Sequence, residues 1–548
     1  MKKRRERFTF LVMIPIFCCS LLVTTVSALE NNPASTYVEL EKLFLEFREF
    51  AQPRVEAGVP DYSAAAMKEQ ENELRSFQQR LAAFDLSGWP IPDQVDYHIV
   101  RAEMNGLEFY LRILKPWSRD PCFYSLRPGM TDPFSWEGAF RAPRNLPLAE
   151  KDRSELLQKL IAVQKVFKQA PVNLTDAAGD LAILAMHYLD GDSKIMADLA
   201  AKIGDQHPEL IPDINKAQAA IDGYHTWLRA NHSKMTASAG IGVENYNWWL
   251  KNVHLFPYTW EECRNVVELE DNRVITFLKL EENRNRNLPP LKPVSSQEEY
   301  KKSVKAALEH VMNFIREEEI FTVQDHLDLE DYWEGRKRAF ERPWPEVHDY
   351  FKYFAHREPV PEETHEAIGH DFDWQRLDKD ERTIRGVRRL YFIEWIRDEG
   401  WAFGLEELLM HAGYLDDRPR RGREIVYQQA AFRTCRALAD LRMHSRELNL
   451  TEAMEFCVGC APHGELLDNS PHLWNEMKTT LRIPGWHMGM VVGKAQFIKL
   501  FHDRAKQLGD DFNLKEFIDE FMAAGFIPMS LIRWELTGYD DEITKLWD

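Results

Sequence analysis

Residues 63–84 read SAAAMKEQENELRSFQQRLAAF, a run of strong helix formers with apolar residues three and four positions apart. The same pattern recurs over residues 95–114 (VDYHIVRAEMNGLEFYLRIL) and 298–321 (EEYKKSVKAALEHVMNFIREEEIF). In the stretch 298–321, charged residues fill the opposite face. Alternating strand patterns bounded by Asn-Gly or Asp-Gly turns are scarce. The sequence therefore predicts an all-α protein with at most a few short strands.

The composition excludes two broad classes of protein. The chain has 548 residues, 44% of them hydrophobic, which is enough to bury a large core and rules out a wholly disordered chain. The formal charge of −19 argues against a general nucleic-acid binder, because phosphate contacts need a basic surface.

The first 28 residues have the pattern of a secretory signal peptide. Basic residues within 2–7 precede an apolar run over 8–26, and Val26-Ser27-Ala28 is a small-residue cleavage pattern with the cut expected after Ala28. Removing the net +4 of this segment changes the charge from −19 to −23. The alternative is an uncleaved anchor, because residues 8–28 are just long enough to span a bilayer. We therefore predict a secreted or periplasmic protein.

The clearest linker is NLPPLKPVSSQ (287–297), with three prolines and a Ser pair. It predicts an N-terminal helical half over 29–290 and a C-terminal helical half over 291–548. The CxxC at 457–460 has no partner pair, so a local disulfide or two free thiols are favoured over a zinc knuckle. The sequence does not indicate an oligomeric state.

The strongest candidate site is PEETHEAIGHDFDWQRL (361–377), where Glu366 follows His365 and precedes His370 by four residues. Imidazoles are good zinc ligands, and a neighbouring carboxylate can take a proton from an activated water. Residues five apart on an ideal helix lie about 140° apart, however. Both histidines can bind one ion only if the helix has a π-type bulge or ends near Gly369. The alternative is a surface His-Glu pair.

A second predicted helix, RLYFIEWIRDEGWAFGLEELLMHAG (389–413), offers a third ligand. Glu399 lies in an apolar stretch, where an unpaired carboxylate is costly, and a zinc ion would be a suitable partner. Glu394 is the competing ligand. The alternative for Glu399 is a salt bridge to one of three nearby arginines, Arg385, Arg388 or Arg389.

A third predicted helix, AAFRTCRALADLRMHSREL (430–448), places Arg436, Asp440 and His444 on one face. An Asp-His pair there could orient a ligand or stabilise a developing oxyanion. Arg436 is a candidate for binding a substrate carboxylate, because guanidinium binds carboxylates bidentately. The alternative is a solvated or salt-bridged face.

These segments together resemble the bacterial "domain of unknown function 885" family over almost the whole chain after residue 28. The matching stretches are QVDYHIVRAEM (94–104), GVENYNWWLKN (242–252), THEAIGH (364–370), EGWAFGLEELL (399–409), RALADLRMH (436–444), IPGWHMGMVVGKAQFIKL (483–500) and GDDFNLKEFIDEFMAAGFIPMSLI (509–532). The resemblance implies an all-helical, gluzincin or Taq-carboxypeptidase-like fold around one zinc ion. It implies His365, His370 and Glu399 as zinc ligands and Glu366 as general base.

The chain departs from the family pattern in two places. The family usually has a proline before the glycine of the metal motif, whereas here Ile368 precedes Gly369 directly, as in the HExxGH form of the dipeptidyl peptidase III family.

The second departure is in the late motif EMKTTLRIPGWHMGM (476–490). The family's Arg-Tyr pair is Thr479-Thr480, its Gln and Ala are Trp486 and His487, and its last Tyr is Met490. A tyrosine could donate a hydrogen bond to the transition state, which methionine cannot do. One hypothesis is that His487 supplies this donor; the alternative is an ordinary packed histidine.

The leading functional hypothesis is a secreted zinc metallopeptidase acting on a peptide or small amide substrate, with His444 or His487 steadying the oxyanion. Two alternatives remain open: an inactive family member that acts as a binding module, and a metal-dependent hydrolase of non-peptide amides. No nucleic-acid partner is expected, and no membrane contact beyond an uncleaved N-terminal anchor.

Overall fold

The structure is a computed structural model, and it describes residues 36–56, 58–126, 146–337, 349–468 and 470–547. The predicted signal peptide over 1–28 lies outside the described residues. The described part is helical apart from one two-stranded sheet, in which β1 (Val55–Glu56) pairs antiparallel with β2 (Val59–Pro60). The predicted all-α class is confirmed.

Among the helices before residue 290, α7 packs against both α5 and α6. The α-helices of this part are α1 (Tyr37–Phe50), α2 (Ala64–Ala82), α3 (Ile91–Phe109), α4 (Pro116–Arg119), α5 (Glu150–Asn173), α6 (Gly179–Ile203), α7 (Ile211–Asn231), α8 (Val243–Asn252) and α9 (Trp260–Arg284). A π-helical turn (Tyr110–Leu114) and short 3₁₀ turns (Pro121–Phe123, Pro208–Leu210, His232–Lys234) lie between them.

The helices after residue 290 contain all the candidate site residues. They are α10 (Gln297–Glu317), α11 (Leu329–Lys337), α12 (Tyr350–Ala355), α13 (Val360–Glu363), a π-helix (Thr364–Asp371), α14 (Phe372–Leu377), α15 (Trp395–Ala412), α16 (Gly422–His444), α17 (Leu450–Cys460), α18 (Pro471–Arg482), α19 (Trp486–Leu508), a 3₁₀ turn (Gly509–Asp511), α20 (Leu514–Ala524), α21 (Met529–Thr537) and α22 (Asp541–Trp547). Among the described helices, none combines the length and hydropathy needed to cross a membrane.

Local sequence signals explain several helix starts. In three helices the N-cap side chain accepts a hydrogen bond from the third backbone N–H, and the glutamate there bonds back to the N-cap N–H. The three capping boxes are Thr36 with Glu39, Thr259 with Glu262, and Asn449 with Glu452. Two of the predicted helices, over 63–84 and 298–321, are confirmed as α2 and α10.

The helix predicted over 389–413 begins six residues later, at Trp395. Tyr391 and Phe392 have φ angles of 58° and 55°, in the left-handed region, so the chain cannot be α-helical there. The helix predicted over 430–448 is part of the longer α16, which begins at Gly422.

Glycines let the central helices approach closely. A Cβ added at Gly493 of α19 would lie 1.9 Å from the carbonyl oxygen of Ile396, and one at Gly400 of α15 would lie 2.3 Å from the carbonyl carbon of Gly493. Helix α16 is buried along nearly its whole length and packs against α9 and α19. One hydrophobic core thus includes residues on both sides of position 290, and the division into two halves stays a prediction.

Candidate metal centre and cleft

His365, His370 and Glu399 converge in the centre of the C-terminal part. One ligand atom of each lies within 4.8 Å of the others, and no other group of three or more His, Cys, Asp or Glu side chains in the described part of the chain does so. The Nε2 atoms of the two histidines are 3.1 Å apart. Oε2 of Glu399 lies 3.6 Å from Nε2 of His365, and Oε1 lies 3.6 Å from Nε2 of His370. The structure brings together the three residues predicted as ligands.

The π-helix over Thr364–Asp371 solves the spacing problem of the two histidines. A π-helix closes hydrogen bonds between residues five apart, so His365 and His370 project from the same face. Gly369 allows this segment to touch α15, because a Cβ there would lie 2.6 Å from Cβ of Ala402. Of the two arrangements that would let both histidines bind one ion, the structure contains the π-type one.

Two further carboxylates orient the imidazoles. Nδ1 of His365 lies 2.8 Å from Oε1 of Glu406, and Nδ1 of His370 lies 2.8 Å from Oδ1 of Asp398. Because an ionised carboxylate only accepts, each Nδ1 carries a hydrogen, and Nε2 is the ring atom that faces the other two residues of the group. A carboxylate behind a histidine fixes the tautomer and raises its basicity, as in many metal sites.

The charges around the three residues favour a shared cation. Burial alone would lower the pKa of His370, but Asp398 and Glu399 raise it to about 10. Burial would raise the pKa of Glu399, but the two imidazoles lower it to about 2. Oε2 of Glu399 is buried and has no hydrogen-bond partner among the described residues.

Two imidazole nitrogens and a carboxylate repel one another unless a proton or a metal ion lies among them. Two histidines and a glutamate with a further open position are a common donor set for catalytic zinc. The residues present therefore fit a zinc ion.

Arg433 on α16 holds the Glu406 carboxylate in place. Its guanidinium nitrogens lie 2.9 Å and 3.2 Å from the two oxygens of Glu406, and all of these groups are buried. The arginine compensates the buried charge of Glu406 and joins α16 to α15.

The three residues line a cleft of about 460 Å³. The other lining residues are Phe351, Glu362, Glu366, Trp374, Trp395, Asp398, Arg433, Arg436, Asn475, Glu476, Thr479, Trp486, His487 and Met490. Glu366 forms no hydrogen bond or ion pair with any described residue. A partly exposed carboxylate beside the candidate ligands is available to accept a proton.

His487 and Arg436 line the cleft but are already engaged. Arg436 pairs with Glu476, whose Oε2 lies 2.9 Å from Nε2 of His487. Nδ1 of His487 lies 2.7 Å from the hydroxyl oxygen of Thr480. Burial and the charge of Arg436 lower the pKa of His487. Both ring nitrogens of His487 therefore have partners, and the hypothesised donor has no free N–H.

The structure does not bring His444 to the cleft. It is fully buried and its Nε2 bonds to the carbonyl oxygen of Thr480 at 2.9 Å. Asp440 on the same face accepts the backbone N–H groups of Gly485 at 2.9 Å and His487 at 3.0 Å. Asp440 thus holds the start of α19 and His444 contacts the end of α18, so the visible role of both residues is structural.

The structure contains neither alternative for Glu399, that is, neither Glu394 in its place nor a salt bridge to a nearby arginine. Glu394 is buried outside the group and none of the three nearby arginines pairs with Glu399; Arg385, for example, bonds to Asp96 and Glu535. Sequence reasoning missed Asp398 and Glu406. Glu406 could have been found as a second buried acid seven residues after Glu399, on the same helical face. The described cysteines, including Cys457 and Cys460, are free.

Comparison with known proteins relates part of the chain to a family of unknown function. Residues 344–536 match the family model described as "Bacterial protein of unknown function (DUF885)", and every candidate site residue lies within them. The predicted resemblance is confirmed for this part; the N-terminal motifs at 94–104 and 242–252 lie outside the match. A search of curated proteins finds no match.

Two solved structures share the fold along most of the chain. One is described as a "putative lipoprotein of unknown function from Shewanella oneidensis", with a TM-score of 0.70 and 14% identity, covering 91% of this chain and 99% of its own. The other is described as "the putative lipoprotein from Colwellia psychrerythraea", with a TM-score of 0.69 and 15% identity, covering 92% and 99%. At these identities the likeness concerns the fold alone.

Proposed function

We propose that the protein is an exported zinc-dependent hydrolase, and most simply a metallopeptidase, with His365, His370 and Glu399 as ligands of one zinc ion. The observation that supports this is the convergence of two imidazole Nε2 atoms and a buried carboxylate, while Asp398 and Glu406 hold both Nδ1 atoms from behind. Such an arrangement brings three potential ligand atoms within 4.8 Å of one another.

Each residue near these ligand atoms has a defined task in the proposed reaction. A bound zinc ion supplies Lewis acidity, which polarises a carbonyl and makes a water more acidic. The Glu366 carboxylate takes a proton from the attacking water and later passes it to the nitrogen of the leaving amine. Asp398 and Glu406 keep the imidazoles in the tautomer that leaves Nε2 unprotonated.

The proposed substrate is a peptide or a small amide, which a cleft of about 460 Å³ can accommodate. Export is proposed from the signal-peptide pattern of residues 1–28, and the description of both structural neighbours as lipoproteins agrees with it.

Metal analysis and two variants test the proposal on the mature chain, residues 29–548. The wild type should contain one zinc ion per chain, and His365→Ala should lose it. Glu366→Gln should keep the zinc but lose hydrolysis of a peptide library, because the amide cannot accept the proton. Glu381→Gln, at an exposed position, is the matched control and should behave like wild type. A wild-type protein without stoichiometric zinc would refute the proposal, and so would full activity in Glu366→Gln.

One observation favours an inactive binding module as the second candidate. Met490 offers no donor and both nitrogens of His487 are engaged, so neither of these two cleft residues has a free donor for an oxyanion. Any library cleavage that Glu366→Gln abolishes would reject this candidate. Mass spectrometry of the products would separate a peptidase from a hydrolase of other amides.

A further inference from the structure

Two tryptophans lie one helical turn from the candidate ligands. Trp374 follows His370 by four residues along one continuous helical segment, and Trp395 precedes Glu399 by four residues on α15. Side chains four apart project from the same face of a helix. Both tryptophans line the same cleft as the ligand group and are partly exposed in it.

Trp486 enlarges this aromatic surface from a different helix. Its ring stacks on that of Trp395 with an interplanar angle of 26°, and the indole N–H of Trp395 donates to the carbonyl oxygen of Trp486 at 2.7 Å. Phe392 packs edge-on against Trp486 at 5.3 Å. The tight turn at Gly485, with φ of +77°, begins α19 at this position. The pair of stacked rings is therefore held in place from both helices.

Phe351, the other aromatic ring of the cleft lining, lies between two arginines. The guanidinium groups of Arg433 and Arg436 lie 4.9 Å and 5.0 Å from the ring centre of Phe351. The rest of the lining is mostly polar or charged. Arg388 likewise lies 4.5 Å from the ring centre of Trp374, but this indole stays partly exposed, as does that of Trp395. Trp486 is buried and supports Trp395 by stacking, so Trp374 and Trp395 supply the open aromatic surface beside the candidate ligand group.

We propose that Trp374, Trp395 and Trp486 form an aromatic subsite that binds an apolar side chain of the substrate, most favourably an aromatic one, next to the scissile amide. Planar indoles held by packing lose little conformational entropy on binding, and ring–ring contact adds to the burial of apolar area. The inference rests on the proposed function for the reaction, but the subsite itself concerns binding and can be tested without turnover.

The experiment measures binding to the full mature chain in a Glu366→Gln background, so that no ligand is consumed. Calorimetric titration compares N-acetylphenylalaninamide with N-acetylalaninamide, with and without added zinc. The phenyl ligand should bind about ten-fold more tightly, as expected for burying one more aromatic ring. Trp395→Leu and Trp374→Leu should each remove most of this preference. Trp227→Leu on α7, far along the chain from the cleft lining, should keep it.

A second measurement covers the case in which a tryptophan variant does not fold. The otherwise unaltered chain is labelled with 5-fluorotryptophan, and the phenyl ligand should shift the fluorine resonances of Trp374, Trp395 and Trp486 but not that of Trp227. Equal affinity for the two ligands, or shifts confined to tryptophans outside the cleft, would overturn the subsite. A chain that prefers the phenyl ligand but cleaves no amide would keep the subsite and refute the hydrolase.

Discussion

Gly369 lies where the π-helix touches α15, and its replacement by alanine tests whether this contact sets the geometry of the candidate ligands. A Cβ at this position would lie 2.6 Å from Cβ and 2.8 Å from Cα of Ala402. Ordinary van der Waals contact begins at 3.4 Å, so the two segments must separate by roughly 0.8 Å. Zinc–ligand distances vary by only about 0.2 Å. The separation moves the histidines away from Glu399 by more than a zinc site accepts.

The same contact determines the effect on stability. Forcing an extra methyl group into a packed interior costs about 1–3 kcal/mol. The better helix propensity of alanine returns about 1 kcal/mol. We expect Gly369→Ala to lower the free energy of unfolding by up to about 2 kcal/mol, the difference of these two effects.

Urea unfolding of the mature chain measures this loss, and competition with a chelator measures zinc affinity. Gly223→Ala is the matched control, because it lies inside α7 with nothing within 4 Å of the added Cβ, and it should raise stability by about 0.5–1 kcal/mol. Adding Ala402→Gly to Gly369→Ala should rescue only in part, since Cα of residue 402 remains at 2.8 Å. Unchanged stability and zinc affinity in Gly369→Ala would refute the reasoning.

Three further perturbations test the surroundings of the cleft. Asp398→Asn should weaken zinc affinity by about 10–100-fold, measured by chelator competition, and an unchanged affinity would contradict its role behind His370. Burial raises the pKa of Glu394 to about 8, whereas the pKa of a glutamate side chain in the unfolded chain is about 4.3. The free energy of unfolding of the wild type should therefore fall as the pH rises from about 4.3 to 8. Urea unfolding at pH 5 and 8 should show a smaller fall for Glu394→Gln, and an equal fall in both proteins would contradict this role of Glu394. Asp440→Ala leaves buried N–H groups at the start of α19 without an acceptor and should cost at least about 2 kcal/mol by thermal unfolding; a loss below the error of the measurement would refute the capping role.

The sequence predicts the convergence of His365, His370 and Glu399 because the proposed chemistry constrains the backbone. Two histidines five residues apart can share a cation if the helix has a π-type bulge or ends near Gly369, and the π-helix at Thr364–Asp371 is the first of these arrangements. The all-α class follows from periodicity in the same way, since α2 and α10 bury the apolar positions that the pattern marks.

Other features depend on packing that the sequence does not reveal. The late start of α15 depends on the left-handed backbone at Tyr391, whose ring fits against Gly106 from a distant helix. Periodicity correctly places Arg436 and His444 on one face of α16. Periodicity does not show where along the helix this face borders the cleft. In the structure Arg436 lines the cleft, whereas His444, two turns later, is buried in the interior.

The candidate ligands and the carboxylates behind them come from only two helical segments, the π-helix with its neighbours and α15. Many of the residues that shape the rest of the cleft, including Glu476, Trp486 and Met490, come instead from α18 and α19. Changes after residue 470 can therefore alter part of the cleft lining without replacing any candidate ligand or either carboxylate behind the imidazoles.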